Sequence, residues 1–274
     1  MLNKPPIDVV HLLPVMDKML IGLLKSLSPE DWERQSVAGL WKVKDIAAHL
    51  LDGNIRSLSM LRDGYFGEAP GNGSLLDFLN RLNADWVKAM KRVSPQVLIW
   101  LHEATGKSYC DYYASLDPFG KAGFSVAWAG EEESKNWMHI AREYTEKWLH
   151  QQQIRDTVNK PGLMAKEFYY PFMNTFMQAL PYTYREIHAD AGTLIKIVIS
   201  GDAGGNWYLG KTRQGWALQE NETTAPAAIV SIAAAIAWKL FSKSIRASDA
   251  KDEIIITGEE RLALPALDMV SVMA

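Results

Sequence analysis

Apolar positions along this chain recur first at helical spacing and only later at strand spacing. Between residues 7 and 28, Val10, Leu13, Met16, Met19, Leu20, Leu23 and Leu24 return three and four apart, the period of one face of a helix. Ser28-Pro29-Glu30-Asp31 is a capping signature, after which Trp32 opens a short turn. A second helix is expected from Lys44 to Arg62, ended by Asp63-Gly64, with Gly67 to Gly73 as a loop. Ser74 to Val93 gives a third helix, and Ser94-Pro95 starts a fourth that runs to about Ala104. Lys107 to Gly130, rich in aromatics and glycine, reads as irregular or partly extended. Ser134 is a candidate cap for a long helix to Val158 that no proline or glycine interrupts.

The pattern changes at Asn159-Lys160-Pro161-Gly162. Phe168 to Ala179 still reads as helix, but Thr193 to Ile199 has strand composition and runs into the turn Gly201 to Gly205. Short strands are expected at Asn206–Leu209 and Trp216–Gln219, an alanine-rich helix at Ala225–Ser242, and a strand at Glu253–Gly258. Arg261 to Val272 predicts a terminal helix interrupted by Pro265. The expected organisation is therefore an all-helical bundle over residues 1–165 and a small mixed α/β domain over 166–274.

Composition narrows the class without choosing a function. Of 274 residues, 48% are hydrophobic and 22% charged, as in an ordinary globular protein. A net charge of −3 gives no basis for nucleic acid or an anionic membrane as partner. Cys110 is the only cysteine, which rules out an internal disulfide and fits a reducing compartment. Met1 to Asp8 lacks the basic-then-apolar order of a signal peptide, and the run Ala225 to Ala237 is too short to span a bilayer. A cytoplasmic protein acting on a small molecule is the expectation.

The candidate chemistry lies in the long helix. His139, Glu143, Glu146 and His150 fall near one face, since separations of 4, 7 and 11 residues return to almost the same angle. His139 and His150 would stand ~16 Å apart along the axis, so one cation cannot use all four. Two dyads compete, His139 with Glu143 and Glu146 with His150, and spacing does not choose between them. Either dyad could also be an ordinary exposed helix pair, worth roughly a few tenths of a kcal/mol. A metal site needs a third ligand, for which His49 in the Trp41-to-Gly53 stretch is the candidate.

Two stretches carry a resemblance: Trp41-Lys42-Val43-Lys44-Asp45-Ile46-Ala47-Ala48-His49-Leu50-Leu51-Asp52-Gly53, and Glu143-Tyr144-Thr145-Glu146-Lys147-Trp148-Leu149-His150-Gln151-Gln152-Gln153-Ile154-Arg155. Together they resemble the metal-binding domain of mycothiol-dependent maleylpyruvate isomerases, a branch of the DinB-like four-helix-bundle superfamily. Lys42 stands where that family has serine or threonine, and Gln153 where it has aspartate. The resemblance implies a DinB-like bundle followed by a sterol-carrier-protein-like α/β domain. It selects His49, Glu146 and His150 as ligands of one divalent cation, with Zn²⁺ the first expectation. Three ligands leave a position open, where a small thiol such as mycothiol would become the better nucleophile, its thiolate. The family's arginine in a Gly-Arg pair has no counterpart in Leu240-Phe241-Ser242-Lys243-Ser244-Ile245-Arg246. Lys243 and Arg246 are the candidates to replace it, although lysine lacks the bidentate fork of arginine.

Around these residues, Asp52 could orient His49 or be a solvated helix charge, and Arg155 is expected in a structural ion pair. Arg56 and Arg142 are anion-binding candidates by position. Trp41 and Trp148 are expected in the core, and Cys110 as a small buried residue. Two functions follow: a metal-dependent enzyme that uses a low-molecular-weight thiol for isomerisation or S-transfer, or a non-catalytic small-molecule or lipid carrier whose metal is structural. The intact ligand trio favours the first, and the missing Gly-Arg the second.

Overall fold

The structure is a computed structural model that describes residues 4–69, 74–125 and 131–269. The chain forms two compact units, one comprising Met1–Gly123 and Lys135–Gly162, the other Phe124–Ser134 and Leu163–Ala274.

The first unit is helical among its described residues. Its helices are α1 (Leu13–Lys25), α2 (Pro29–Trp32), α3 (Val43–Arg56), α4 (Leu75–Met90), α5 (Pro95–Ala114) and α6 (Asn136–Val158). The caps are chemical. Ser28 and Asp31 form a reciprocal capping box at α2, and the Ser74 and Ser94 hydroxyls accept backbone N–H groups at the starts of α4 and α5. At α3 the Asp45 carboxylate accepts the Lys42 N–H at 3.1 Å, which fixes where that helix begins. Leu20, Leu23, Leu24, Val43, Ile46, Leu50, Leu51, Leu98 and Ile154 meet in one core. Each such side chain contributes roughly 1.5–3 kcal/mol by leaving water.

The expected second helix is present with one change. After Arg56 the bonding widens to a π-type turn over Ser57–Arg62. The fourth helix runs ten residues past its expected end, because Gly106 does not break it: the Asp17 carboxylate of α1 packs where a Cβ would stand. Residues 107–114, expected to be irregular, therefore belong to α5, with Tyr109, Cys110 and Tyr113 facing inward. Ser134 is not the cap of α6; its hydroxyl donates to Glu131, and α6 begins at Asn136. Parts of the expected loop at 67–73, of the stretch 107–130 and of the terminal helix fall on residues 70–73, 126–130 and 270–272, outside the described residues.

The second unit opens with α7 (Lys166–Met177) and α8 (Leu180–Thr183) and continues with a five-stranded sheet. The strands are β1 (Leu194–Ser200), β2 (Gly205–Lys211), β3 (Trp216–Gln219), β4 (Ala228–Ala233) and β5 (Ile254–Gly258), in the order β3-β2-β1-β4-β5. Only β1 with β4 is a parallel pair, Ile197 lying opposite Val230. The alanine-rich segment is not one helix. Ala228, Val230 and Ile232 alternate with less buried residues and form β4, leaving α9 (Ala234–Phe241) as the helical remainder. The β-branched residues of Ala-Ile-Val-Ser-Ile pack well on a pleated surface, and this outweighs the helix preference of the flanking alanines. The terminal helix is one turn at Glu260–Ala263 before a 3₁₀ turn that contains Pro265.

Two expectations follow from this packing. Gly258 ends β5 at φ 84°, and a Cβ there would overlap the Ala227 carbonyl oxygen. Because a backbone atom cannot swing away, Gly258→Ala is expected to lower stability by roughly 2 kcal/mol or more, read from urea unfolding. His102 on α5 is fully buried and its Nε2 lies 2.9 Å from the Ala47 carbonyl, to which it donates. Burial, then the nearby Lys147 charge, push the imidazole down from 6.5 to about 4. Between these values the unfolded chain binds the extra proton, so stability is complete above pH 6.5 and falls as the pH drops toward 4, by up to ~1.4 kcal/mol per pH unit. Unfolding measured across this window is expected to show that component in the wild type and not in His102→Gln.

Candidate metal centre

Helices α3 and α6 of the first unit run antiparallel, and their register places the candidate ligands together. The Lys147 ammonium on α6 donates to the Leu50 carbonyl of α3 at 3.0 Å and to Asn54 Oδ1, and lies 4.5 Å from the Tyr109 ring centre. Leu50 follows His49 and Lys147 follows Glu146, so this crosslink holds the two ligand positions opposite each other.

At that level one donor atom from each of His49, Glu146 and His150 lies within 4.8 Å of the others. Glu146 Oε2 is 3.1 Å from His150 Nε2 and 3.7 Å from His49 Nε2. The imidazoles meet edge to face with centroids 4.6 Å apart. No other group of three such side chains converges among the described residues. The residues of the competing dyad engage tyrosines instead of a third ligand: His139 Nε2 lies 3.3 Å from the Tyr113 hydroxyl, and Glu143 accepts from Tyr109 at 2.9 Å.

The hydrogen bonding around the cluster tests its fit to a cation. His150 Nδ1 lies 2.8 Å from Gln153 Oε1 and donates to it, which turns Nε2 toward the Glu146 carboxylate, 3.1 Å away, a separation that a proton or a shared cation fits. Burial, the largest influence, pushes His49 down to about 4, so its ring is neutral near pH 7. Burial alone would raise Glu146, but its hydrogen bonds with His150 and then His49 outweigh that and hold the carboxyl well below the usual range. An anionic carboxylate, the neutral His49 imidazole and the Nε2 of His150 form a donor set suited to a divalent cation such as Zn²⁺.

Several neighbours behave otherwise than the sequence suggests. Asp52 is neither solvated nor bonded to His49: it is buried and pairs with Arg56 at 3.0 Å. His49 Nδ1 is buried with no hydrogen-bond partner among the described residues. Among the described residues Arg155 forms no carboxylate pair; it donates to the carbonyls of Pro161 at 2.6 Å and Met19 at 3.3 Å, an arrangement that leaves no room for a side chain at Gly162. Trp41 does more than fill the core, since its ring lies 4.7 Å from that of His49 and 5.8 Å from that of His150. Gln153 was legible only as a departure from the family pattern, although its place three residues after His150 put it within reach of that ring. Cys110 is buried, as expected, and burial pushes its thiol up to about 11. Lys243 and Arg246 belong to the second unit. Lys243 follows α9 in a left-handed conformation, φ 60°, and the exposed Arg246 begins a 3₁₀ turn by donating its N–H to Asp249 at 3.1 Å.

A helical bundle whose facing helices bring two imidazoles and one carboxylate together has the donor arrangement from which metal sites in bundles are built. The family model of the mycothiol maleylpyruvate isomerase N-terminal domain matches residues 16–155, more than half of the 274, and the chain belongs to that family. Two solved structures share the fold across 91% of this chain and 92% of theirs: a mycothiol-dependent maleylpyruvate isomerase, at 12% identity and a TM-score of 0.54, and its histidine-to-alanine mutant, at 11% and 0.55. No curated protein matched the sequence. Among the described residues no helix is long and apolar enough to cross a membrane.

The Gln153 contact generates a measurable expectation. An amide that fixes the His150 tautomer readies Nε2 for a cation, so Gln153→Leu is expected to weaken Co²⁺ or Zn²⁺ binding by about tenfold or more. Competition titration against a coloured chelator would show it, and unchanged affinity would mean that the amide does not orient the ligand.

Proposed function

We propose that this protein is a metal-dependent enzyme that uses a low-molecular-weight thiol of the mycothiol type to isomerise, or transfer sulfur to, a small electrophilic substrate. The observation carrying this reading is the convergence of His49, Glu146 and His150 in a chain of the maleylpyruvate isomerase family. In it, these three residues hold one divalent cation, with Zn²⁺ the best match to their donor atoms.

Such a cation supplies Lewis acidity at an open position, lowering the pKa of a thiol there and so raising its thiolate fraction. The chain's own residues do the rest. Gln153 keeps a proton on His150 Nδ1 and so presents Nε2 inward. Burial keeps His49 uncharged and able to donate a lone pair. Trp41 covers both imidazoles on one side and restricts water there. Glu146 is the most exposed of the three, its side chain 35% accessible against 12% for His49 and 11% for His150, so the approach to the cluster is over the carboxylate. Lys243 and Arg246 are proposed to contact an anionic part of the substrate, in place of the family's Gly-Arg arginine.

Elemental analysis tests the foundation. Wild-type protein is expected to carry one divalent ion per chain, and His150→Ala to lose it. Equal metal content in the two would remove the assignment. An activity screen over small thiols with activated alkenes and cis-configured keto acids would then distinguish the enzyme from a carrier with a structural ion.

A further inference from the structure

We propose that Arg56 anchors a carboxylate of the molecule that approaches the His49–Glu146–His150 cluster, making it a specificity-determining residue for an anionic ligand. The proposal rests on reading that cluster as the reaction centre, and it concerns a side chain that the cluster itself does not use.

The argument starts from the face of α3. At about 100° per residue, His49, Asp52, Gly53 and Arg56 share an arc of roughly 100°, and Arg56 stands about 10 Å along the axis from His49. Helical side chains lean toward the N-terminus, so the long Arg56 stem leans back toward the cluster. Between the two lies Gly53, where an added Cβ would meet nothing within 4 Å except Lys147 Nζ at 4.0 Å. Gly53 is half-buried rather than covered. The helix therefore presents a gap in its side chains between the histidine and the arginine.

Arg56 is held as a presented group rather than consumed as a structural one. Asp52 Oδ2 stands 3.0 Å from Nε, and Asn83 Oδ1 on α4 accepts from Nη2 at 3.2 Å. Both neighbours occupy one edge of the guanidinium. Nη1 makes no hydrogen bond among the described residues, and the side chain is 30% exposed. Asp52 is itself buried, and its Oδ2 meets Arg56 Nε at ion-pair distance without hydrogen-bond geometry. A planar fork with one edge fixed and the other open matches a carboxylate bidentately. The ligand this geometry selects carries its reactive group at one end and a carboxylate on the order of 5–10 Å away, the axial separation less the reach of the arginine.

Cobalt-loaded protein titrated with mercaptosuccinate and with uncharged thioglycerol, followed by the sulfur-to-cobalt absorption, tests this. Wild type is expected to bind mercaptosuccinate roughly tenfold or more tighter than thioglycerol. Arg56→Gln should lose that preference while keeping cobalt stoichiometry. Arg56→Lys, which preserves the charge opposite Asp52 if the glutamine variant fails to fold, should lose most of it. A preference retained in either folded variant overturns the proposal, as does its absence in wild type. A second arm needs no metal: succinate added to apo protein should shift the Gly53 and Arg56 amide resonances in wild type and not in Arg56→Gln. If cobalt does not bind at the cluster, the metal reading fails and the succinate arm alone decides Arg56. A purely structural arginine would alter unfolding in both variants and leave both selectivities unchanged.

Discussion

The register of α3 against α6 is the constraint on which the site depends. Two antiparallel helices can slide by a turn with modest loss if only aliphatic contacts hold them. Here the buried Lys147 ammonium finds its acceptors at Leu50 and Asn54, and a one-turn slip would leave that charge unpartnered in the core. An unpartnered buried charge costs several kcal/mol, more than a local rearrangement of leucines. Coupling a costly group to one register is how a bundle can hold three donor side chains from two helices together without a loop between them.

The same seam shows how the bundle tolerates its polar interior. Lys147, Asn54, Ser57, Tyr109, Tyr113, His139 and Glu143 are satisfied largely by one another along one strip, while Leu50, Leu51, Val43 and Ile46 keep the opposite sides apolar. Polar groups confined to a strip can share partners and draw on a low local dielectric, whereas the same groups scattered through the core would each bear their own desolvation. The π-type turn after Arg56 contributes, because it places Ser57 within 3.0 Å of the Tyr113 hydroxyl.

What the sequence reveals here depends on how local each signal is. The Glu146–His150 pair was legible through the family resemblance, because the four-residue spacing on an unbroken helix fits His139 and Glu143 equally well. The helical and mixed halves were legible because period and composition change at Pro161-Gly162. The strand β4 was not, since Ala228 to Ala233 becomes a strand through pairing with β1, thirty-odd residues earlier, and with β5 on its other edge. The extension of α5 was missed for a related reason: Gly106 reads as a stop until Asp17, from another helix, is seen to occupy its missing side chain. Asp52 and Arg155 were misassigned because the nearest opposite charge, or a carbonyl, came from positions that sequence distance does not rank.

The burial of Cys110 has a consequence for the cellular company this protein is proposed to keep. A thiol held near 11 is almost wholly protonated at neutral pH, and proton-bearing sulfur neither attacks disulfides nor oxidises readily. The chain's only sulfhydryl is thereby withdrawn from exchange with any soluble thiol–disulfide couple around it. A protein built this way can handle a small thiol repeatedly without becoming covalently joined to it, and its folded state is insulated from swings in redox poise.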